Sequence, residues 1–316
     1  MRIGSATQIE NATQNNAPLA PRLARTLTGH SGSVYCVGVC GDGERVVSVS
    51  EDETARVWSA TTGQLLQTFT NHFDQVLCVA LFSDGTTAVS GGGIDDICTV
   101  RMWSLDDAMQ MRAFMGHTEA VRSVAVSPDD AIVASAGEDL SINLWNVRSG
   151  QCDATFAGHT SIVWCVAFSV DGQTLASGSE DKSIKMWNMP SRSLACTIDN
   201  AHTDCVYGVA FGSEWLVSGS ADKTVKVWRW QSGHLITTLT GHTDVVTCVA
   251  VFPEGGDRVA SGSDDKTVRI WNVRSGECQH TLTGRTDTAC SLAVSCDGRT
   301  LLSGSCDKSV QVWTLR

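Results

Sequence analysis

The chain has 316 residues, of which 42% are apolar and 18% charged, and its net charge is −11. This is the composition of a globular protein, and the acidic balance argues against direct nucleic-acid binding, which needs clustered lysine and arginine. No apolar run reaches the length of a membrane-spanning helix, so no membrane partner is expected.

Residues 1–21, MRIGSATQIENATQNNAPLAP, are polar and lack the apolar core of a secretory signal. They are expected to form a flexible polar tail, with a folded unit over 22–316. The 13 cysteines are an odd number and include no CxxC pair, which speaks against a disulfide framework or a zinc site. Reduced thiols in the cytoplasm or nucleus are the expectation. Cys36, Cys78, Cys165 and Cys248 each lie six residues after a recurring histidine position, where other copies of the same pattern have Ser or Gly. That recurrence predicts a small buried site.

The first predicted element is a short strand, Leu23 to Leu27, followed by Gly29-His30. Three strands joined by tight turns then run to Trp58, and a fourth, Leu65 to Phe69, follows it. The arrangement returns along the whole chain. Trp58, Trp103, Trp145, Trp187, Trp228, Trp271 and Trp313 are spaced by 45, 42, 42, 41, 43 and 42 residues. Gly29-His30, Asn71-His72, Gly116-His117, Gly158-His159, Ala201-His202, Gly241-His242 and Gly284-Arg285 keep the same beat. A period of about 40 to 45 residues, Gly-His early and Trp late, is the signature of a four-stranded propeller blade. Later fourth strands are predicted at Gln110 to Phe114, Cys152 to Phe156, Leu194 to Ile198, Leu235 to Leu239 and Cys278 to Leu282. The seventh copy has none after Trp313. The strand at Leu23 to Leu27 is therefore expected to complete the last blade and close a ring, which removes open sheet edges.

On these phased markers, residues 22 to 316 resemble the WD-repeat β-propeller family. The resemblance implies an all-β, seven-bladed propeller of four-stranded antiparallel blades. One departure is that no marker Trp is followed by Asp; the next residues are Ser59, Ser104, Asn146, Asn188, Arg229, Asn272 and Thr314.

His, Ser and Asp recur in most copies, a combination that also serves nucleophilic catalysis. The sets are His30, Ser48, Asp52, Trp58; His117, Ser135, Asp139, Trp145; His159, Ser177, Asp181, Trp187; His202, Ser218, Asp222, Trp228; and His242, Ser261, Asp265, Trp271. A nucleophile is needed once, whereas a set repeated in phase is architecture. The resemblance implies a structural hydrogen-bond network inside each blade. Two copies break the set. Three extra residues lengthen SGGGIDDICT in the second, leaving Asp95 or Asp96 as the only substitutes for the acid. Arg285 stands at the histidine position of the seventh, beside Ser303, Asp307 and Trp313. Both blades are expected to be less well tied. The Gly91–Gly93 run lacks the Lys-Ser/Thr of a phosphate loop and reads as a lengthened turn.

Function on such a fold lies on the faces of the disc. The resemblance implies partner contacts on the face that carries the start of the first strand and the turn after the second. Five residues past the histidine position stand Tyr35, Leu77, Arg122, Trp164, Tyr207, Thr247 and Cys290. Before the tetrad acid stand Glu51, Glu138, Glu180, Ala221, Asp264 and Cys306. Tyr35, Trp164 and Tyr207 with the acids Glu51, Glu138, Glu180 and Asp264 suit a peptide carrying Arg or Lys; Arg122 belongs to the same rim. A redox or metal role for Cys290, Cys306 and Cys296 lacks a His or further Cys in phase. Trp215, on the second strand of the fifth copy, and Trp230, at the end of its third, read as packing residues.

The function expected is a non-catalytic protein–protein interaction scaffold, monomeric within a larger complex, with no cofactor or metal. One alternative is a substrate receptor of a cullin-type ubiquitin ligase, because W-N-V-R at Trp145–Arg148 and Trp271–Arg274 is similar to a W-D-x-R adaptor-docking box. Another is an enzyme with a site in the central channel, for which no single-copy acid, base or nucleophile stands out.

Overall fold

A computed structural model describes residues 20–41, 43–70, 72, 74–93, 99–253 and 257–315. Residues 1–19 of the expected tail, and Asp95 and Asp96 of the second copy, lie outside the described residues. Seven four-stranded antiparallel sheets account for all 28 strands of the described residues. Six are built from consecutive strands; we call these blades one to six and their strands a to d in chain order. Blade four is typical, with Val163–Phe168, Thr174–Ser179, Ile184–Asn188 and Ser193–Ile198.

Burial falls from the inside out. Strand b of blade four is buried at every residue, because it has a neighbouring blade on each face. Outer strands are mostly exposed, and all but that of blade four contribute one buried apolar anchor: in Cys152–Ala157 only Phe156 is buried. That anchor packs on the Trp of the next blade. Phe69 meets Trp103 at 5.7 Å, Phe114 meets Trp145 at 5.7 Å, and Phe156 stacks on Trp187 at 4.8 Å. The core is therefore a set of clusters lying between blades rather than one central mass.

Two polar devices reinforce the same seams. Lys182, Lys223, Lys266 and Lys308 all take left-handed backbone at the turn after strand b. Their ammonium groups donate to the carbonyls of Thr203, Thr243, Thr286 and Ser31 in the next blade, at 2.7–3.0 Å. The thiols of Cys36, Cys78, Cys165 and Cys248 likewise reach the carbonyls of Val79, Val121, Val206 and Ala289. Burial pushes all four thiols up, Cys165 and Cys248 to about 12. They are packing groups. A Cβ on Gly178 would come within 2.6 Å of Val206 and 2.8 Å of the Cys165 sulfur, which is why the Ser-Gly-Ser run keeps glycine at its centre.

Blade seven takes three strands from the C-terminal end, Ala289–Val294, Thr300–Ser305 and Ser309–Thr314. Its fourth is Arg22–Thr28, paired antiparallel with Ser309–Thr314 from Arg22↔Thr314 to Thr28↔Ser309. Leu27 supplies the buried anchor of this strand and joins the cluster that contains Trp58. Trp215 precedes strand b of blade five (Leu216–Ser220) instead of lying on it, because Gly212 already closes the turn with the Trp215 carbonyl at 2.7 Å. Trp230 stands one residue beyond strand c and packs edge-on against Phe211 at 5.7 Å.

Candidate functional site

Strand a of every blade carries a β-bulge at its start, where one residue has no partner on strand b. In blade four Val163 pairs with Ser179 and Cys165 with Gly178, leaving Trp164 as the extra residue. The others are Tyr35, Leu77, Arg122, Tyr207, Thr247 and Cys290. A bulge re-aims a side chain, and all seven of these line one cavity of about 360 Å³ at the centre of the ring. Counting from the histidine position located these residues; the bulge that turns them inward was not legible in the spacing.

Around this mouth the Arg122 guanidinium lies 4.9 Å from the centre of the Trp164 ring and pairs with Glu138, its Nε donating to the carboxylate at 2.7 Å. Trp164 also meets Tyr207 edge-on at 5.1 Å. The Trp164 indole N–H is buried and has no hydrogen-bond partner among the described residues. The acids are not equivalent. Glu51 accepts from the Ser33 amide at 3.1 Å, which holds its carboxyl below the ordinary range. Glu180 accepts from the Ser161 hydroxyl at 2.6 Å. Asp264 is shifted up, by burial first and then by Asp244, Asp287 and Asp265 nearby. Among the described residues no lysine or arginine pairs with Asp264. Tyr35 sits across the cavity, close to Glu51, Cys306 and Cys290.

The five repeated sets form one geometry. Trp58, Trp145, Trp187, Trp228 and Trp271 donate their indole N–H to the blade's Ser at 2.7–2.9 Å. The Ser oxygen lies 2.7–2.8 Å from His Nε2. His Nδ1 lies 2.7–2.9 Å from the Asp. A carboxylate only accepts, so Nδ1 carries the proton and Nε2 accepts from the Ser hydroxyl. For Asp52 burial opposes the charge, but Thr54, the Ser31 amide and His30 outweigh it and hold the carboxyl at about 2. The distances match those of a nucleophilic triad. Access does not, because Ser48, Ser135, Ser177, Ser218 and Ser261 are fully buried under the Trp rings.

The incomplete sets show what is lost. In blade two Ser90 still joins Trp103 and His72, each at 2.9 Å, but His72 Nδ1 has no hydrogen-bond partner among the described residues. Burial, then Arg101, drives the His72 pKa down to about 3. In blade seven Arg285 donates to Ser303, and among the described residues its Nε and Nη1 and Trp313 Nε1 have no hydrogen-bond partner.

The turn after strand c lies on the opposite face. Asn146 Oδ1 accepts from the Ser149 amide, and Asn272 Oδ1 from the amides of Arg274 and Ser275, all at 2.9 Å. In these two blades a side-chain oxygen after the Trp accepts from the turn amides, so Asn serves where an Asp was anticipated. Arg148 and Arg274 are exposed there, and Arg274 pairs with Asp257 at 2.7 Å.

No helix among the described residues is long and apolar enough to cross a membrane. Comparison with curated proteins found no match. The profile of the WD domain, G-beta repeat, matches residues 21–59, 63–104, 109–146, 150–188, 193–229, 233–272 and 276–314. Each match opens on a strand d and ends at strand c of the next blade, so the sequence repeat straddles the seam that the Trp and Phe residues knit together. With seven matches in phase over nearly the whole folded part, the chain belongs to the WD domain, G-beta repeat family.

Proposed function

We propose that this propeller is a non-catalytic interaction scaffold that docks a protein partner at the channel mouth, through a segment carrying Arg or Lys. Supporting the general part, members of this family typically act as protein-interaction scaffolds. The observation that carries the specific part is the way Trp164 and Glu138 together hold a guanidinium, that of Arg122, at the edge of an open cavity. A partner's Arg or Lys meets the same chemistry, and Asp264 offers a carboxylate with no cation of its own. Aromatic residues grouped at the centre of a concave surface are also the residue types that dominate binding energy at interfaces.

The test is fluorescence anisotropy with an arginine-rich peptide library and a charge-neutral control library. Selected basic peptides are expected to lose tenfold or more in affinity with Trp164→Ala and several-fold with Asp264→Asn. Unchanged affinity for both variants removes the mouth as the docking site.

A second reading, docking to a cullin adaptor, is favoured by the exposure of Arg148 and Arg274 on the opposite face. It requires co-purification of an adaptor that is lost with Arg148→Ala or Arg274→Ala and kept with Trp164→Ala.

A further inference from the structure

Blade seven departs from its siblings at the mouth. Cys290 is its bulge residue and Cys306 precedes its tetrad acid, Asp307. Strands a and b bring them together: Ala289 pairs with Ser305, Ser291 with Gly304, and the Cys306 amide donates to the Thr288 carbonyl at 3.2 Å. The two sulfur atoms are 2.9 Å apart. That is closer than two unbonded thiols settle and about 1 Å longer than a disulfide bond.

A second, independent feature sits beside them. Arg285 is 7% exposed, with two guanidinium nitrogens unpartnered, and its charge is felt at Cys290. A buried cation beside Cys290 favours loss of that thiol's proton, which the closing of an internal disulfide requires. Within the pair, the hydrogen bond from Cys290 lowers the Cys306 thiol, while Cys290 is raised. Other accessible thiols are engaged differently: Cys152, Cys278 and Cys296 hydrogen-bond to the carbonyls of Ala154, His280 and Gly41.

We propose that Cys290 and Cys306 are a reversible disulfide site at the channel mouth, oxidised by a low-molecular-weight disulfide such as glutathione disulfide. The Cys306 thiolate attacks one sulfur of glutathione disulfide, forming a mixed disulfide and expelling a glutathione thiolate. Cys290 then gives up its proton and attacks the Cys306 sulfur, forming the internal bond and expelling the second glutathione thiolate. Two cysteines are oxidised, one glutathione disulfide is reduced to two glutathiones, and the two cysteine protons end on them. The bond ties the start of strand a to the turn after strand b in the blade whose histidine is replaced by Arg285. It gives the mouth an oxidised and a reduced form, with Tyr35 directly alongside.

The test uses the full chain and a Cys296→Ser version, each equilibrated in glutathione redox buffers, alkylated, digested with trypsin and read by mass spectrometry. Residues 286–299 hold Cys290 and Cys296, and residues 300–308 hold Cys306, so the serine version removes the ambiguity. The expected result is a linked 286–299/300–308 pair, lighter by about 2 Da than the two reduced peptides. It should form before any other link and disappear on adding dithiothreitol. The proposal is overturned if both peptides stay alkylated or carry separate glutathiones in the oxidised buffer, or if the link forms only in urea.

Discussion

The Arg122 guanidinium spans the seam between blades three and four, lying over Trp164 at 4.9 Å while Glu138 holds it from its own blade. The mouth thus carries an internal competitor for any incoming cation. Removing it with Arg122→Ala frees one ring face and one carboxylate and also deletes a repelling charge. Since such contacts are worth about 0.5 to 2 kcal/mol, the variant is expected to bind basic peptides up to about tenfold more tightly. Titration calorimetry checks this. Weaker binding of the same peptides makes Arg122 a contact for an acidic group and reverses the charge preference proposed.

Ser177 is the hub of the blade-four tetrad, serving Trp187 and His159 at once. Ser177→Ala leaves two buried polar groups unmatched, at about 1 to 3 kcal/mol each. In blade seven Trp313 Nε1 is already unpartnered, so Ser303→Ala strands only one further donor, on Arg285. Urea unfolding should therefore show Ser177→Ala as the more destabilising change, by roughly a factor of two. Equal effects refute the reading of Ser177 as a doubly used hub.

Arg285→His follows from the same comparison. It removes a buried guanidinium, held down to about 10 chiefly by burial, and supplies a ring that can bridge Ser303 and Asp307 as in five other blades. Trp313 then has Ser303 as an acceptor. A gain of about 1 to 3 kcal/mol is expected, seen as a higher unfolding midpoint. A lower midpoint means that Arg285 is retained for stability and not at its cost.

How far the sequence reached can be followed in these residues. The Trp, His and Asp markers recur because they serve the same hydrogen-bond chain in five blades, so periodicity alone exposes ring, blade count and tetrads. The side chains at the mouth differ from blade to blade by necessity, and their meaning depends on rotamer and neighbour. Tyr35, Trp164 and Tyr207 were legible as a rim, but the capture of Arg122 by Glu138 and Trp164 joins positions 16 and 42 residues away that recur in phase with other side chains, so no repeat of the contact itself reveals it. The seam lysines repeat in four blades as Asp-Lys. The spacing alone does not show which carbonyl across the seam a lysine in an exposed turn will meet.

His72 makes blade two a pH-sensitive element. Its folded pKa, about 3, lies below the unfolded value near 6.5, because burial and Arg101 disfavour the charged ring. Between those values the unfolded chain binds the extra proton, so stability falls as pH falls. At pH 5 this amounts to about 2 kcal/mol relative to pH 7. His72→Gln should lose that share of the pH dependence in urea unfolding measured at both pH values. The tetrad acids contribute in a lower window: with Asp52 held at about 2, their contribution is present above an unfolded value near 4 and lost as pH drops toward 2. If wild type and His72→Gln lose the same stability between pH 7 and pH 5, His72 is not charged on unfolding and the reading fails.

Closure of the ring rests on one strand from the N-terminal side of the chain. Arg22–Thr28 pairs with Ser309–Thr314, and Leu27, 3% exposed, shares a cluster with Trp58 of blade one and Val310 and Val312 of blade seven. Lys308 crosses the same seam to the Ser31 carbonyl at 2.7 Å. Without the strand, Ser309–Thr314 becomes an open edge, and the apolar residues under Leu27 face water. A chain lacking residues 1–28 is therefore expected to unfold at a lower midpoint than one lacking 1–19, and to associate in a concentration-dependent way in light scattering. Leu27→Asp reports the same contact without truncation, because it buries an unpaired carboxylate. A synthetic peptide of residues 20–30 should restore the truncated chain's midpoint, since it supplies both the ladder bonds and the Leu27 anchor. Failure of truncation and Leu27→Asp to lower the midpoint would show that the other seams carry the ring without its closing strand.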